Sequence, residues 1–236
     1  MRLACVVIDA RDRRALAQWW SRALGWPVVD DDPDDVYTVV EPPAGEPGLQ
    51  LVFQSVPSPP LAQERARVHL DLRSRTRQEQ EDLVATLESA GARRVDIGQG
   101  DVPWVVLADP EGNTFCVLEP REEYATGGQL AAVVVQAVDP EGLERFWSAA
   151  IEPQPAQGPR LEFVPGPPHT TKNPVHLDVR PGPGEDQQDS VERLLALGAR
   201  RADVGQGDVT WVVLADPEGN EFCVLTPPGG SAAPAG

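Results

Sequence analysis

The sequence predicts an α+β protein of two tandem domains, each built from paired βαβββ units, with helices on the outer face of curled mixed sheets. Three observations predict this fold. Residues 91–120 and 198–227 are identical at 25 of 30 positions with an offset of 107, so the chain contains a duplication. Short β-rich runs alternate with amphipathic helical segments. Each copy repeats the order of strand, helix and further strands.

The repeat sets the predicted domain boundaries. The first domain covers residues 1–120 and the second covers 130–227. Residues 121–129, polar and with a Gly pair, form the predicted linker. Residues 228–236 lack apolar periodicity and are predicted to be disordered.

The second copy is predicted to be a trimmed version of the first. Asp12 aligns with Asp139 at an offset of 127, whereas His69 aligns with His176 at an offset of 107. The difference, 127 minus 107, means that the second copy has lost about 20 residues between its first helix and its His strand. The lost part corresponds to the segment around Val28 to Val40.

The elements of the first copy follow from local patterns. Asp12 is a predicted N-cap, and the apolar residues of the next segment share one helical face before Gly25 ends it. Thr76, with Glu79 three residues later, makes a capping box for a second helix that stops at Gly91. The predicted strands are residues 3–8, 36–41, 48–55, 68–72, 94–97, 104–107 and 115–118.

Composition excludes several partners. The net charge is -17, from 37 acidic and 20 basic residues, which disfavours nucleic acid and anionic membranes. The three cysteines form no CxxC pair, so a reducing cytoplasm is expected. The apolar stretch from Leu3 to Ile8 is too short for a signal peptide or a membrane span.

Strand alternation predicts the residues of a cup. If Leu70 and Leu72 pack under a helix, His69 and Asp71 point into the cup. If Cys116 and Leu118 also face a helix, the last strand contributes Phe115 and Glu119 to the same cup. The same logic assigns His176 and Thr226 to the second cup.

The chemistry of these residues leaves alternatives open. His69 and Glu119 would suit a divalent cation or act as a general acid/base pair, or His69 would be a buried structural residue. Trp104 and its repeat Trp211 would stack on a flat ligand or belong to the core. Cys5 in its apolar strand is either a packing residue or a ligand for a soft metal.

The strings VHLDL, GQGDVPWVVLADPEGNTFCVLEP and DRRALAQWWSRALGW resemble the glyoxalase-like branch of the vicinal oxygen chelate superfamily. That superfamily includes glyoxalase I, extradiol dioxygenases, fosfomycin resistance enzymes and bleomycin-binding proteins. The resemblance covers nearly the whole chain and implies metal ligands on the first and last strands of each unit. In the first domain it implies Cys5, Gln50, His69 and Glu119, and in the second domain only His176 fits.

These observations leave two alternative hypotheses for the function. The first is small-molecule binding, with a sequestration or resistance role as in the bleomycin resistance protein family. It needs no cofactor, and its predicted pocket residues are His69, Asp71, Trp104, Phe115, Glu119, Gln50, His176 and Trp211. The alternative is a lyase, isomerase or dioxygenase that works only in the first domain, with one divalent metal on His69, Glu119, Gln50 and Cys5. Glu119 and His69 would then be catalytic.

The expected partner in both cases is a small molecule. Neither nucleic acid nor a membrane is expected. The two copies are expected to form an intrachain pseudo-dimer, in a protein that is otherwise a monomer or a homodimer. A third hypothesis is that the second copy only completes the architecture.

Overall fold

A computed structural model describes residues 1–32, 35–46, 48–56, 67–168, 171–205 and 207–228. The predicted disordered tail at 228–236 lies outside this part of the chain, except for Pro228. The described elements make a mixed α+β protein with four α-helices and two sheets, as predicted. No helix among them is long and apolar enough to cross a membrane.

The first copy contains two complete βαβββ units. Its first unit consists of β1 (Arg2–Ala10), α1 (Arg13–Leu24), β2 (Val28–Asp30), β3 (Tyr37–Val40) and β4 (Gln50–Ser55). Its second unit consists of β5 (Val68–Leu72), α2 (Arg77–Ser89), β6 (Arg93–Arg94), β7 (Val105–Ala108) and β8 (Thr114–Val117). A short 3₁₀ helix, Glu122–Tyr124, leads into the second copy.

The second copy has one reduced unit and one complete unit. The reduced unit consists of β9 (Leu130–Ala137), α3 (Pro140–Ala150) and β10 (Arg160–Pro165). The complete unit consists of β11 (Val175–Arg180), α4 (Gln187–Ala196), β12 (Arg200–Arg201), β13 (Val212–Ala215) and β14 (Glu221–Val224). No strands equivalent to β2 and β3 lie between α3 and β10, a stretch that the structure describes throughout.

Each sheet takes one unit from each copy. Sheet A has the strand order β12-β13-β14-β11-β1-β4-β3-β2, and sheet B has the order β10-β9-β5-β8-β7-β6. The joints are antiparallel, with β1 beside β11 in sheet A and β5 beside β9 in sheet B. The first unit of one copy therefore shares a sheet with the second unit of the other copy.

The helices begin where the sequence predicts. Asp12 caps α1 by accepting a hydrogen bond from the backbone N–H of Ala15, and Thr76 caps α2 by accepting one from Glu79. Gly25 ends α1 in the left-handed conformation, with a φ of 70°, which costs a glycine little. These caps satisfy backbone groups that a helix end otherwise leaves unpaired.

Helices α1 and α4 pack on sheet A, and helices α2 and α3 pack on sheet B. We call the side of each sheet that carries its helices the helix face and the other side the open face. Helix α1 packs against sheet A and also reaches sheet B. There Trp19 and Trp20 contact Phe115 of β8, with ring centroids 5.7 and 5.1 Å apart. Trp20 also donates an indole hydrogen bond to Asp109. The second copy repeats the arrangement with Trp147 and Phe222. Each of these buried aromatic side chains contributes about 1.5–3 kcal/mol of apolar burial.

Arg13 holds the β2–β3 hairpin onto the fold. Its buried guanidinium donates to Thr38 and to the backbone oxygens of Tyr37, Asp32 and Asp35. The matching position in the second copy is Pro140, which has no side chain that could make such bonds. The loss of this arginine agrees with the loss of the hairpin.

Candidate functional site

Two pseudo-equivalent clusters of His, Asp and Cys lie on the open faces of the two sheets. Cluster B consists of His69, Asp71 and Cys116, and cluster A consists of His176, Asp178 and Cys223. In each cluster one ligand atom from each residue lies within 4.8 Å of the others. The described part of the chain thus has two sites that could hold a metal ion.

Strand register explains why the members of cluster B meet. His69 and Asp71 alternate along β5 with Leu70 and Leu72, which are buried in the core of the helix face. Asp71 lies directly opposite Cys116 on the parallel strand β8. Neighbouring residues in a sheet share a face, so all three side chains of cluster B point away from the helices.

Burial controls the protonation of cluster B. It lowers the pKa of His69 to about 4, so the imidazole is neutral at pH 7. Burial also raises the pKa of Asp71 to about 7, and it raises the pKa of the Cys116 thiol. His69 Nε2 lies 3.5 Å from Asp71 Oδ1. The imidazole, the carboxyl and the thiol of cluster B are therefore all biased towards their neutral forms.

Cluster A repeats this electrostatic pattern and adds a second thiol. Burial lowers the pKa of His176 to about 3 and raises that of Asp178 to about 7. Cys5 on β1 lies opposite Asp178, and its Sγ donates a hydrogen bond to Asp178 Oδ2 at 3.6 Å. The carboxyl of Asp178 therefore lies between the thiols of Cys5 and Cys223.

An unpaired oxygen in each cluster tests whether a cation fits. Asp71 Oδ1 and Asp178 Oδ1 are buried, and each lies 3.5 Å from the imidazole Nε2 of its own cluster but makes no hydrogen bond in the described part of the chain. Such an atom costs about 1–3 kcal/mol unless a ligand or water satisfies it. Imidazole nitrogen, thiolate sulfur and carboxylate oxygen are the donor set that zinc prefers. The residues of both clusters thus fit a soft divalent cation.

Aromatic and charged side chains border the open face of sheet B. Trp104 packs against an apolar cluster that includes Cys116, Leu118 and Tyr124. The Arg121 guanidinium lies 5.6 Å from the centroid of the Trp104 ring, close enough for a cation–π contact. Arg121 also pairs with Glu119 at 2.8 Å.

Trp104 also lines a cavity of about 420 Å³ between α2 and the segment that leads into β7. Its walls combine valines with polar groups from both sides. The lining includes Arg77, Val84, Arg94, Val95, Asp101 and Val102. This volume lies within the range of small-molecule pockets, about 300–1,000 Å³.

The implied ligand set of the first domain is not assembled. Cys5 and Gln50 are neighbours in sheet A, whereas His69 belongs to sheet B. Gln50 is exposed and donates a hydrogen bond to Glu41. The set is split because each sheet combines units from different copies, which the order of elements along the chain does not reveal.

The predicted orientation of the last strand is wrong. Phe115 lies on the helix face against Trp19 and Trp20, and Cys116 lies on the open face beside Asp71. Glu119 follows β8, pairs with Arg121 and is not a member of cluster B. A shift of one residue in strand phase moves every side chain to the opposite face.

Sequence reasoning missed Cys116, Cys223, Glu162 and Tyr124. Glu162 lies in β10 opposite Val134, which in turn lies opposite His69. Glu162 also accepts a hydrogen bond from the hydroxyl of Tyr124. The two cysteines recur at matching positions of the repeat, and this recurrence is the sequence feature that could have marked them as candidate site residues. No local pattern predicts Glu162, because β10 reaches cluster B only through strand pairing between the copies.

Trp211, the repeat equivalent of Trp104, has a different environment. Its indole contacts the phenol ring of Tyr37. Burial is the main cause that raises the pKa of Tyr37 to about 12, and the nearby carboxyl of Asp178 adds to it. Tyr37 and Trp211 therefore cover the open face of sheet A near cluster A.

Comparisons with known proteins agree with this architecture. A family model described as a glyoxalase-like domain matches residues 5–118 and 132–225. Glyoxalase I from Zea mays is 15% identical, with a TM-score of 0.62 over 95% of this chain and 92% of that chain. A putative dioxygenase from Bacillus subtilis subsp. subtilis str. 168 is 14% identical, with a TM-score of 0.64 over 98% and 86%.

A third solved structure, the cppA protein from Streptococcus pneumoniae TIGR4, is 13% identical. Its TM-score is 0.54 over 95% of this chain and 98% of that chain. At these identities the likeness shows a shared fold. A comparison with curated protein sequences finds no match.

Proposed function

Because the chain belongs to the glyoxalase-like domain family, we propose that it binds a small, partly aromatic molecule in the cavity beside Trp104. The observation that carries this proposal is the position of Trp104. One indole borders both a ligand-sized cavity and the apolar cluster on the open face of sheet B. Binding without chemistry is favoured because the implied metal set of the first domain is split between two sheets.

The lining of the cavity indicates how a ligand would be held. Its valines and Trp104 offer an apolar surface for a flat ring. Arg77 and Arg94, with Glu81 and Asp101, supply charges of both signs at its edge. A partly aromatic molecule with a few polar groups fits this combination better than a strongly charged one does.

The test is binding by wild type and a Trp104→Leu variant. A panel of aromatic compounds is screened by thermal shift and tryptophan fluorescence. The best compound is expected to bind Trp104→Leu about tenfold more weakly, from the loss of stacking and apolar contact. The matched control is Trp211→Leu, whose ring packs on Tyr37 instead. Equal weakening in both variants, or no binding by any compound, would contradict the proposal.

A second candidate function is binding of a divalent metal, and the unpaired oxygens of Asp71 and Asp178 favour it. His69, Asp71 and Cys116 would hold the ion in sheet B, and His176, Asp178 and Cys223 would hold it in sheet A. A bound zinc-like ion would supply Lewis acidity towards a carbonyl oxygen. The neutral imidazoles are ready to coordinate it, whereas the thiols must lose protons, so affinity should rise with pH.

The metal content of protein purified without chelators tests this candidate. Two equivalents of metal are expected per chain, and one equivalent should be lost in Cys116→Ser or in Cys223→Ser. Cys5→Ser is the informative comparison, because Cys5 contacts Asp178 but is not one of the three clustered ligands. Metal-free wild-type protein that takes up no added zinc would contradict this candidate and leave the proposal for Trp104 intact.

A further inference from the structure

We infer that the trimming of the second copy opened a separate binding groove beside β10. This groove takes a small organic cation, a molecule with an apolar body and one positively charged group. The groove has a volume of about 570 Å³ and lies between α3 and the end of sheet B. Trp147, Ile151, Leu161 and Phe163 are among the residues that line it. It is distinct from the cavity beside Trp104.

The first copy shows what normally fills this space. There β3 pairs with β4, with Val40 opposite Leu51 and Thr38 opposite Phe53, and all four residues are fully buried. Strand register matches Leu51 with Leu161, because Val6 and Val133 are their respective neighbours at the repeat offset. The same register matches Phe53 with Phe163.

Without the hairpin, the matching residues of the second copy are uncovered. Leu161 and Phe163 are only partly buried, although Leu51 and Phe53 are 0% exposed. Strand β10 is also the last strand of sheet B in the described part of the chain. Partly exposed Leu and Phe side chains in a concave groove gain free energy when an apolar ligand covers them.

Trp26 provides a second comparison between the copies. It follows α1, is 3% exposed, belongs to the main hydrophobic core and lies next to Gly48 just before β4. The position that matches Trp26 at the offset of 127 is Pro153, which is exposed and borders the groove. The second copy has therefore lost both the hairpin and the indole that fill this region in the first copy.

Charge selects the class of ligand. Glu144 and Glu152 line the groove, and Glu152 lies 3.4 Å from the N-terminal amine. The side chain of Glu162 instead lies on the open face, where it accepts a hydrogen bond from Tyr124. Arg160 is the basic residue of the lining. The Arg160 guanidinium lies over the ring of Tyr124, at 5.5 Å, and donates to the backbone of Glu123. With these two carboxylates at its edge and a chain charge of -17, the groove attracts cations and repels anions. An aromatic amine has the required apolar body and positive charge.

A β-strand of another protein, paired with the free edge of β10, is a less favoured occupant of this site. Pro159 and Pro165 flank the usable part of β10, and neither has an N–H group to pair with a new strand. The charge of the chain also opposes pairing between two copies. A small cation meets neither obstacle.

The test compares two dyes of opposite charge, acridine orange as the cation and 1-anilinonaphthalene-8-sulfonate as the anion. The groove of the full-length protein is expected to bind acridine orange at least fivefold more tightly than the anion. Pro153→Trp should restore the missing indole and weaken acridine orange binding at least tenfold. Circular dichroism checks that each variant is folded, and Pro153 is exposed, so its replacement should be tolerated.

Charge variants separate the groove from non-specific attraction to an acidic protein. Glu144→Gln should lower the preference for the cation two- to threefold. Glu141→Gln on the same helix is the matched control and should change nothing, because Glu141 is exposed and does not line the groove. Trp104→Leu should also have no effect.

Several results would overturn the inference. These are equal binding of the two dyes, unchanged binding by Pro153→Trp, or the same loss in Glu141→Gln as in Glu144→Gln. Sedimentation of the wild type as a dimer that Pro153→Trp dissociates would assign the groove to a second copy instead.

Discussion

Tyr37 and Trp211 pack edge to face, with ring centroids 6.4 Å apart, although they come from different copies of the repeat. Tyr37 begins β3, and Trp211 immediately precedes β13, five strands away in sheet A. A flat sheet would separate the two strands by about 24 Å. Sheet A is therefore curled until its flanks meet, and the ring pair closes its open face.

We expect the ring pair to limit access to the thiols of sheet A. Tyr37→Leu should destabilise the protein by about 1 kcal/mol through the lost aromatic contact. It should also speed alkylation of Cys5 and Cys223, which are buried in the wild type, and peptide mass spectrometry would measure the rates. Trp104→Leu is the control, because Trp104 borders sheet B. Unchanged alkylation in Tyr37→Leu would show that another group closes the sheet.

The protonation of cluster B gives a pH-dependent prediction. Burial raises the folded-state pKa of Asp71 to about 7, above its ordinary value. The neutral carboxyl is tolerated in the core, so the fold has its full stability with respect to this group below about pH 4. That stability is lost as the pH rises through 7 and the buried carboxyl ionises. In chelator-treated protein, Asp71→Asn should therefore raise the free energy of unfolding at pH 8, on the order of 4 kcal/mol. The gain should shrink towards pH 4, as urea titrations at several pH values would measure.

Two comparisons make the Asp71 prediction specific. Asp178→Asn should behave in the same way, because burial also raises the pKa of Asp178 to about 7. Asp101→Asn, at an exposed position, should show no such gain. If Asp71→Asn destabilises untreated protein but stabilises chelated protein, a bound metal is the explanation. Destabilisation in both would contradict the assignment of Asp71 as a neutral buried acid.

Arg13 should be essential to the first copy. Arg13→Gln removes a buried guanidinium and leaves the backbone oxygens of Tyr37, Asp32 and Asp35 without that donor. The expected loss is about 2–4 kcal/mol in the free energy of unfolding, measured by urea denaturation. Arg14→Gln is the control, because its ion pair with Asp31 is exposed and should contribute much less to stability. Similar losses in both variants would argue against this role.

The composite sheets predict how the chain behaves when it is divided. Fragment 1–128 would lack the partners of β1 and β5, which pair with β11 and β9 of the second copy. Unpaired strand edges associate, so the fragment should dimerise or aggregate. Co-expression with fragment 129–236 should restore a soluble 1:1 complex, detectable by size-exclusion chromatography. A stable folded monomer of fragment 1–128 would contradict this pairing.

The sequence predicted most elements of the fold because local signals specify them. The caps at Asp12 and Thr76, the stop at Gly25 and the trimming near Val28 to Val40 all match the structure. The wrong prediction that the Cys116 side chain faces a helix has a different origin. Alternation gives two opposite assignments for a short strand, and only the contact of Phe115 with α1 decides between them.

The assembly of the site depends on information that no local pattern carries. Cys5 meets Asp178 across a joint between strands from different copies, 173 residues apart in the chain. Hydrophobic periodicity predicts that both strands exist but not which edges pair. The family resemblance therefore grouped Cys5 and Gln50 with His69, which the structure places in the other sheet.

The joint between β1 and β11 also constrains how the gene can change. Deleting either repeat removes one unit from each sheet, so a second copy of the shortened chain would have to complete both cups. Substitutions near the start of the coding sequence and near its end act on the same cluster, as Cys5 and Asp178 do. We therefore expect positions 5 and 178 to covary. Positions 5 and 69 lie in the same repeat but in different sheets, so we expect them to vary independently of each other.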